Sequence, residues 1–112
     1  MKPIIEATQF HDCMILAGTV ISANVFPEAL KPAYQLEIDF GPHGIRKSSA
    51  QITKLYDPEG LMGLQVIALV NIPARRIAGF DSECLVLGAL GPEGDVVLLT
   101  TERKVQNGSE IA

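Results

Sequence analysis

Few side chains in this sequence are placed where they could catalyse a reaction. His11, Asp12 and Cys13 are consecutive and could suggest a nucleophile beside a base. Residues one or two positions apart on a helix do not face each other, however, and no third group that would orient the base is evident. The GxxxxGK[ST], GxGxxG, GxSxG and HExxH patterns are also absent. The sequence therefore predicts no catalytic residue and a protein that is not an enzyme.

Metal and redox chemistry are equally unsupported. His43 lies in a turn-like stretch with no second His and no Cys nearby, so no metal site is predicted. Cys13 and Cys84 form no CxxC motif, which favours two buried, apolar thiols in a reducing cytosol. Asp57 precedes Pro58 as a capping residue precedes proline at the first helical position, which explains this carboxylate without catalysis. We expect no cofactor and a cytoplasmic protein.

The cationic residues are better candidates for a function, because they are clustered. The net charge of −4 repels polyanions at long range, and a low aromatic content argues against a large base-stacking platform. Five of the nine Lys and Arg residues nevertheless fall in three places, Arg46-Lys47, Lys54 and Arg75-Arg76. Arg75-Arg76 follows Pro73 and is expected in an exposed loop. On a small barrel, loops distant in sequence can meet on one face and form a basic patch. The alternative is ordinary solvated charge, and the residues alone favour neither.

Apolar side chains follow the second arginine pair. Ile77 and Phe80 come within five residues of Arg75, and arginine beside an aromatic residue is typical of a contact surface. An apolar groove flanked by cations suits an extended peptide as well as RNA. The alternative is that both side chains close one end of a barrel.

The elements that must position these residues are mostly short strands. Tyr34, Leu36, Ile38 and Phe40 alternate with polar residues, which predicts a strand with one wet face. Further strands are predicted at residues 14–25, with a bulge or bend at Gly18, and at 45–48, 66–70, 84–87 and 96–100. A glycine-rich turn at residues 91–95 is expected to join the last two. Short helical segments are expected at residues 5–13, at 51–54 with a cap from Ser48 or Ser49, and after Asp57.

This spacing of short strands, with almost no helix, predicts a small closed barrel or a sandwich. A chain of 112 residues has room for one core, so residues 1–112 are expected to form one domain. The longest apolar run, residues 66–70, is far shorter than a membrane span. Pro3 and Glu6 interrupt the N-terminal stretch, so no signal peptide and no membrane insertion are expected.

Several stretches resemble the tRNA-binding domain family. They are residues 26–29 leading into 36–41, residues 58–61, and residues 70–73 running through 79–83. The SSAQIT and RRIAGF runs, together with residues 85–88, 94–99 and 107–108, are similar to the CsaA branch of that family. The resemblance covers roughly residues 14–111. One departure is Met14-Ile15-Leu16, which stands where the family usually has Asp-Ile-Arg and removes an ion pair or a ligand contact.

The resemblance implies an all-β OB-fold, a five-stranded Greek-key barrel with short helical segments, in a two-fold homodimer. It implies a chaperone that binds unfolded or preprotein segments in protein export and cooperates with the SecA translocation motor. It also implies tRNA binding, and the alternative is a structure-selective tRNA-binding protein with no chaperone role. On this basis the expected tRNA contacts are Arg46, Lys47, Lys54, Arg75, Arg76 and Ser82. Ile77 and Phe80 are the expected peptide contacts.

Overall fold

The computed structural model describes all residues, from Met1 to Ala112. One short helix, α1 (Ala7–His11), precedes the strands β1 (Ile15–Val25), β2 (Tyr34–Asp39) and β3 (Ile45–Ala50). A second short helix, α2 (Pro58–Leu61), leads into β4 (Gln65–Leu69). The remaining strands are β5 (Arg75–Ile77), β6 (Phe80–Ser82), β7 (Leu85–Val86), β8 (Gly88–Leu90) and β9 (Val96–Leu98). No helix has the length and apolar character needed to cross a bilayer.

Five antiparallel strands form a nearly closed barrel in the order β3-β2-β1-β4-β7. The long strand β1 pairs with β4 through its first half and with β2 through its second half. Across the gap between β3 and β7, the Ser48 hydroxyl donates to the Cys84 carbonyl at 3.1 Å. The Glu83 N–H donates to the Lys47 carbonyl at 2.7 Å beside it. This architecture confirms the predicted all-β OB-fold.

The predicted alternation in β2 is confirmed, since Tyr34, Leu36 and Ile38 all point into the core. A bulge or bend was predicted at Gly18, but the register of β1 against β2 shifts between Val20 and Ser22 instead. Gly18 serves a packing purpose. A Cβ placed there would lie 2.6 Å from Cδ1 of the fully buried Phe40. Glycine is therefore required by the close approach of this ring, which follows the neighbouring strand β2.

Two helical predictions have opposite outcomes. Asp57 caps α2 as predicted, because its carboxylate accepts from the Gly60 N–H at 2.6 Å. The helix expected at residues 51–54 is wrong, since β3 continues through Ser48 and Ser49 to Ala50 and turns follow it. Pairing of Ala50 with Tyr34 extends the sheet past the serines, so tertiary pairing overrides the local capping signal.

Two hairpins extend from the barrel. Residues 75–76, expected in an exposed loop, are exposed but lie on strand β5, which pairs with β6 across the two-residue turn Ala78-Gly79. The second hairpin joins β8 to β9 through the predicted glycine-rich turn at residues 91–95. The strands predicted at residues 84–87 and 96–100 correspond to β7 and β9, while β8 was not predicted.

Candidate nucleic-acid and peptide interface

The β5–β6 hairpin brings most of the predicted site residues together. Its register pairs Arg75 with Ser82, Arg76 with Asp81, and Ile77 with Phe80. The hairpin is attached to β3, where the Ser82 hydroxyl oxygen accepts from the Ser49 N–H at 2.9 Å. Both arginines are exposed, and Ile77, Phe80 and Ser82 are half-buried. The hairpin therefore presents cations next to apolar side chains on one small element.

Glu83 attaches the same hairpin to the barrel. Its carboxylate accepts from the Lys47 N–H at 2.9 Å, and its own N–H donates to the Lys47 carbonyl at 2.7 Å. Together with the bond between Ser82 and Ser49, these contacts fix the hairpin on β3 through backbone groups. The Lys47 side chain remains available to the surface because only its backbone is used in these bonds.

The Phe80 ring is the apolar centre of the site. It packs edge-on against the buried Phe26, with ring centroids 5.5 Å apart and planes inclined at 60°. The ammonium group of Lys47 lies 5.4 Å from the centroid of the Phe80 ring, within cation–π range. One aromatic ring thus joins an apolar neighbour to a cationic one, which is the combination expected of a mixed contact surface.

The Arg76 guanidinium is already engaged by an acidic neighbour. Its Nη1 donates to Asp81 Oδ1 at 2.8 Å across the hairpin, and both side chains remain substantially exposed. This hydrogen bond, with the positive charges of Arg76 and Lys47, holds the pKa of Asp81 below its ordinary value. Asp81 is therefore an anion that pairs with Arg76 and also feels the positive charge of Lys47.

Arg46 and Lys54 are positioned differently from the hairpin cations. Arg46 is half-buried, and its Nη1 donates to the Val70 carbonyl at 3.2 Å, at the end of β4. The Lys54 ammonium donates to the Glu93 carbonyl in the β8–β9 turn. A separate depression of about 410 Å³ is lined by Lys54, Leu55, Pro92, Glu93 and Asp95. The structure thus places Arg75 and Arg76 on the hairpin and Lys47 over its Phe80 ring, and it attaches the other two predicted cations to backbone carbonyls elsewhere.

An apolar depression next to Phe80 was not predicted from the sequence. It has a volume of about 340 Å³ and is formed by the loop between β1 and β2 with adjoining residues: Val25, Phe26, Pro27, Ala29, Leu30, Pro32, Ala33, Tyr34 and Thr53. Phe26 links it to the hairpin, since the same ring contacts Phe80. Leu30 is fully exposed at this depression. The sequence feature that could have predicted this depression is the loop bounded by Pro27 and Pro32, with Ala29 and Leu30 inside it.

The polar and titratable side chains outside this site form no metal-binding cluster, since no three His, Cys, Asp or Glu side chains converge in a way that could hold a metal ion. Every buried side-chain nitrogen and oxygen atom has a hydrogen-bond partner. Burial raises the pKa of the Cys84 thiol to about 11, so the thiolate is disfavoured. Cys13, expected to be buried, is only half-buried.

Comparisons with known proteins agree with this geometry. A family model described as "Putative tRNA binding domain" matches residues 15–110. The chaperone CsaA of Bacillus anthracis str. Ames superposes with a TM-score of 0.94 at 48% identity, covering 98% of this chain and 100% of that one. The CsaA chaperone protein of Picrophilus torridus gives a TM-score of 0.91 at 43% identity, with 97% and 100% covered.

Longer proteins contain a similar segment. The methionine–tRNA ligase of Parabacteroides distasonis is 36% identical over 113 residues, which cover 98% of this chain and 16% of the ligase. The chain thus spans only 16% of the length of that relative. Because the family model covers most of the chain and the two CsaA structures match it end to end, this protein belongs to the tRNA-binding domain family and resembles its CsaA members.

Proposed function

We propose that this protein is a non-enzymatic chaperone that binds unfolded or preprotein segments in protein export and that it also binds tRNA. The observation that carries the proposal is the contact of Phe80 with both Phe26 and Lys47, which joins an apolar depression to a cationic hairpin. The likeness to two CsaA chaperones supports the chaperone part. We place this activity in the cytoplasm, with the SecA translocation motor as a partner.

Peptide binding would use the apolar half of the site. An extended segment laid along Phe80 and Ile77 would place one apolar side chain in the depression next to Phe26. The exposed Leu30 at this depression would cover that side chain. Burial of apolar surface contributes about 25 cal/mol per Å² and does not depend on a particular sequence, as a chaperone requires.

The second candidate function is tRNA binding without a chaperone role, and the family model favours it. Phosphates would contact Lys47, Arg75 and Arg76 on the hairpin face, with Ser82 as a polar contact. Arg46 and Lys54 would contribute at the margins, because each already donates to a backbone carbonyl. Net charge opposes this binding at long range, so it depends on the local patch.

A homodimer is part of the proposal. Apolar side chains near the start of the chain are exposed, namely Ile4, Ile5 and Phe10, and so are Leu85, Leu90 and Val97 from β7 to β9. Packing these residues against a second copy would remove apolar surface from water. Two-fold symmetry would also double the cationic hairpin, which strengthens tRNA binding. Sedimentation equilibrium would test the dimer.

The test of the chaperone part is protection of an unfolded client from aggregation without ATP, followed by light scattering. Phe80→Asp should abolish protection, because a carboxylate would replace the ring that contacts Phe26. Phe80→Ala should weaken protection. Because this variant introduces no charge, it still tests the site if Phe80→Asp fails to fold. Leu55→Asp is the control, because it introduces the same charge at an exposed apolar residue of the other depression. Full protection by both Phe80 variants would refute this binding site.

A further inference from the structure

We propose that Asp81 is an internal counter-anion that a phosphate group of bound RNA displaces, so that it sets how strongly charged a ligand must be to occupy the hairpin. The inference rests on the tRNA-binding part of the proposed function. It assigns a specificity-determining role to an acidic residue in the middle of a cationic surface.

The geometry places Asp81 where a ligand phosphate would bind. Arg76 Nη1 lies 2.8 Å from Asp81 Oδ1, and the two residues are directly opposite each other in the hairpin register. The ammonium of Lys47 lies over the neighbouring Phe80 ring and acts on the Asp81 carboxylate as a second positive charge. A charge-assisted hydrogen bond from a guanidinium is how arginine binds a phosphate as well as a carboxylate.

The Asp81 carboxylate occupies the anion position beside Arg76, but it is exposed enough to be replaced by an external anion. The Arg76 side chain is 69% exposed and that of Asp81 is 42% exposed. Ion pairs in such positions are screened by water and salt, so exchange with an external anion is feasible. Asp81 is held only by its hydrogen bond to Arg76, so nothing else fixes its carboxylate in this position.

The same contact favours RNA over an acidic peptide. A carboxylate from a peptide that replaced Asp81 would exchange one monoanion for another and gain little. An RNA backbone carries many phosphates in series, so one segment can engage Arg75, Arg76 and Lys47 together and release several counterions. Asp81 therefore opposes the binding of a single anion more than it opposes the binding of a polyanion.

The test is Asp81→Asn, which removes the charge and keeps an oxygen that can accept from Arg76. Glu59→Gln is the matched control, because Glu59 is exposed on α2 and its side chain contacts no cation. Folded labelled tRNA is titrated by fluorescence anisotropy at several salt concentrations. We expect Asp81→Asn to tighten binding about fivefold at low salt and to steepen the log–log salt slope by up to about one, because no displaced carboxylate then takes up a cation on binding. Glu59→Gln should change the affinity less than about twofold.

A double-substitution cycle makes the attribution specific to the pair. In an Arg76→Gln background, Asp81→Asn should lose most of its effect, since the cation that it releases is gone. If the unaltered protein binds tRNA but Asp81→Asn behaves like Glu59→Gln, the role of Asp81 is refuted while the proposed function stands. If the Asp81→Asn variant binds tRNA and the unaltered protein does not, the inference is supported, because the carboxylate alone then blocks the site. If no variant binds tRNA even at low salt, this inference and the tRNA-binding part of the proposed function are both refuted, while the chaperone part is judged by its own test.

Discussion

The carboxamide of Asn71 holds the start of β1 by binding Met14. Asn71 Oδ1 accepts from the Met14 N–H at 2.7 Å, and Asn71 Nδ2 donates to the Asp12 carbonyl at 2.7 Å. The Val70 N–H donates to the Met14 carbonyl at 2.9 Å in the same place. One amide thus completes the pairing between the end of β4 and the segment that connects α1 to β1. The position of α1 depends on this contact, since all its residues are exposed.

We expect Asn71→Ala to lower the free energy of unfolding by about 1–2 kcal/mol, because two hydrogen bonds to backbone groups are lost. Urea denaturation followed by circular dichroism measures this change. Asn24→Ala is the matched control, since Asn24 bonds only to the exposed Ser22 hydroxyl, and it should cost less than about 0.5 kcal/mol. Equal losses in the two variants would contradict the role assigned to Asn71.

The turn of the cationic hairpin carries backbone strain at Ala78. Ala78 has a φ of 46° and Gly79 a φ of 83°, and the left-handed region costs a non-glycine residue about 1–2 kcal/mol. Asn tolerates this conformation, and Asn-Gly is the preferred pair for a two-residue hairpin turn. Ala78→Asn should therefore raise the free energy of unfolding by about 0.5–1 kcal/mol. Ala78→Val should lower it, and thermal unfolding of both variants measures the sign. A destabilising Ala78→Asn would contradict the prediction.

The accuracy of the sequence predictions depended on the range of the interactions involved. The alternation in β2 and the Asp57 cap were predicted because each is encoded by neighbouring residues. The helix at residues 51–54 failed because β3 is fixed by pairing with β2, which no local signal shows. The β5–β6 hairpin was missed because its strands have three residues each and Ala78 stands where Asn, Asp or Gly would signal the turn.

The same reasoning applies to the site. The hairpin residues were predicted individually, from charge and apolar character close together in sequence. Phe26 and Asp81 were missed because their importance arises from partners, Phe80 across the loop and Arg76 across the hairpin. The separation of Lys54 from the hairpin cations also depends on a contact between distant residues, its bond to Glu93.

The hairpin cations should dominate any tRNA binding. Arg75→Ala with Arg76→Ala should weaken binding and reduce the log–log salt slope by about two, since each phosphate contact contributes about 0.9. Lys54→Ala should change the slope by well under one, because the ammonium is already engaged by the Glu93 carbonyl. Anisotropy titrations between low and physiological salt give both slopes. A larger effect from Lys54→Ala than from the arginine pair would move the binding face to the β8–β9 turn.

The buried Cys84 thiol should make stability depend on pH in the alkaline range. Burial raises its pKa from 9.0 to about 11, so the folded state holds the proton more tightly than the unfolded state. The stabilisation is therefore fully present below about pH 9 and is lost as the pH rises towards 11. A shift of this size corresponds to at most about 2–3 kcal/mol. Urea denaturation with reductant at pH 8, 9 and 10 should show a steeper loss for the unaltered protein than for Cys84→Ala, in which only the other titrating groups remain. Parallel pH dependences in the two proteins would show that the thiol is not the group responsible.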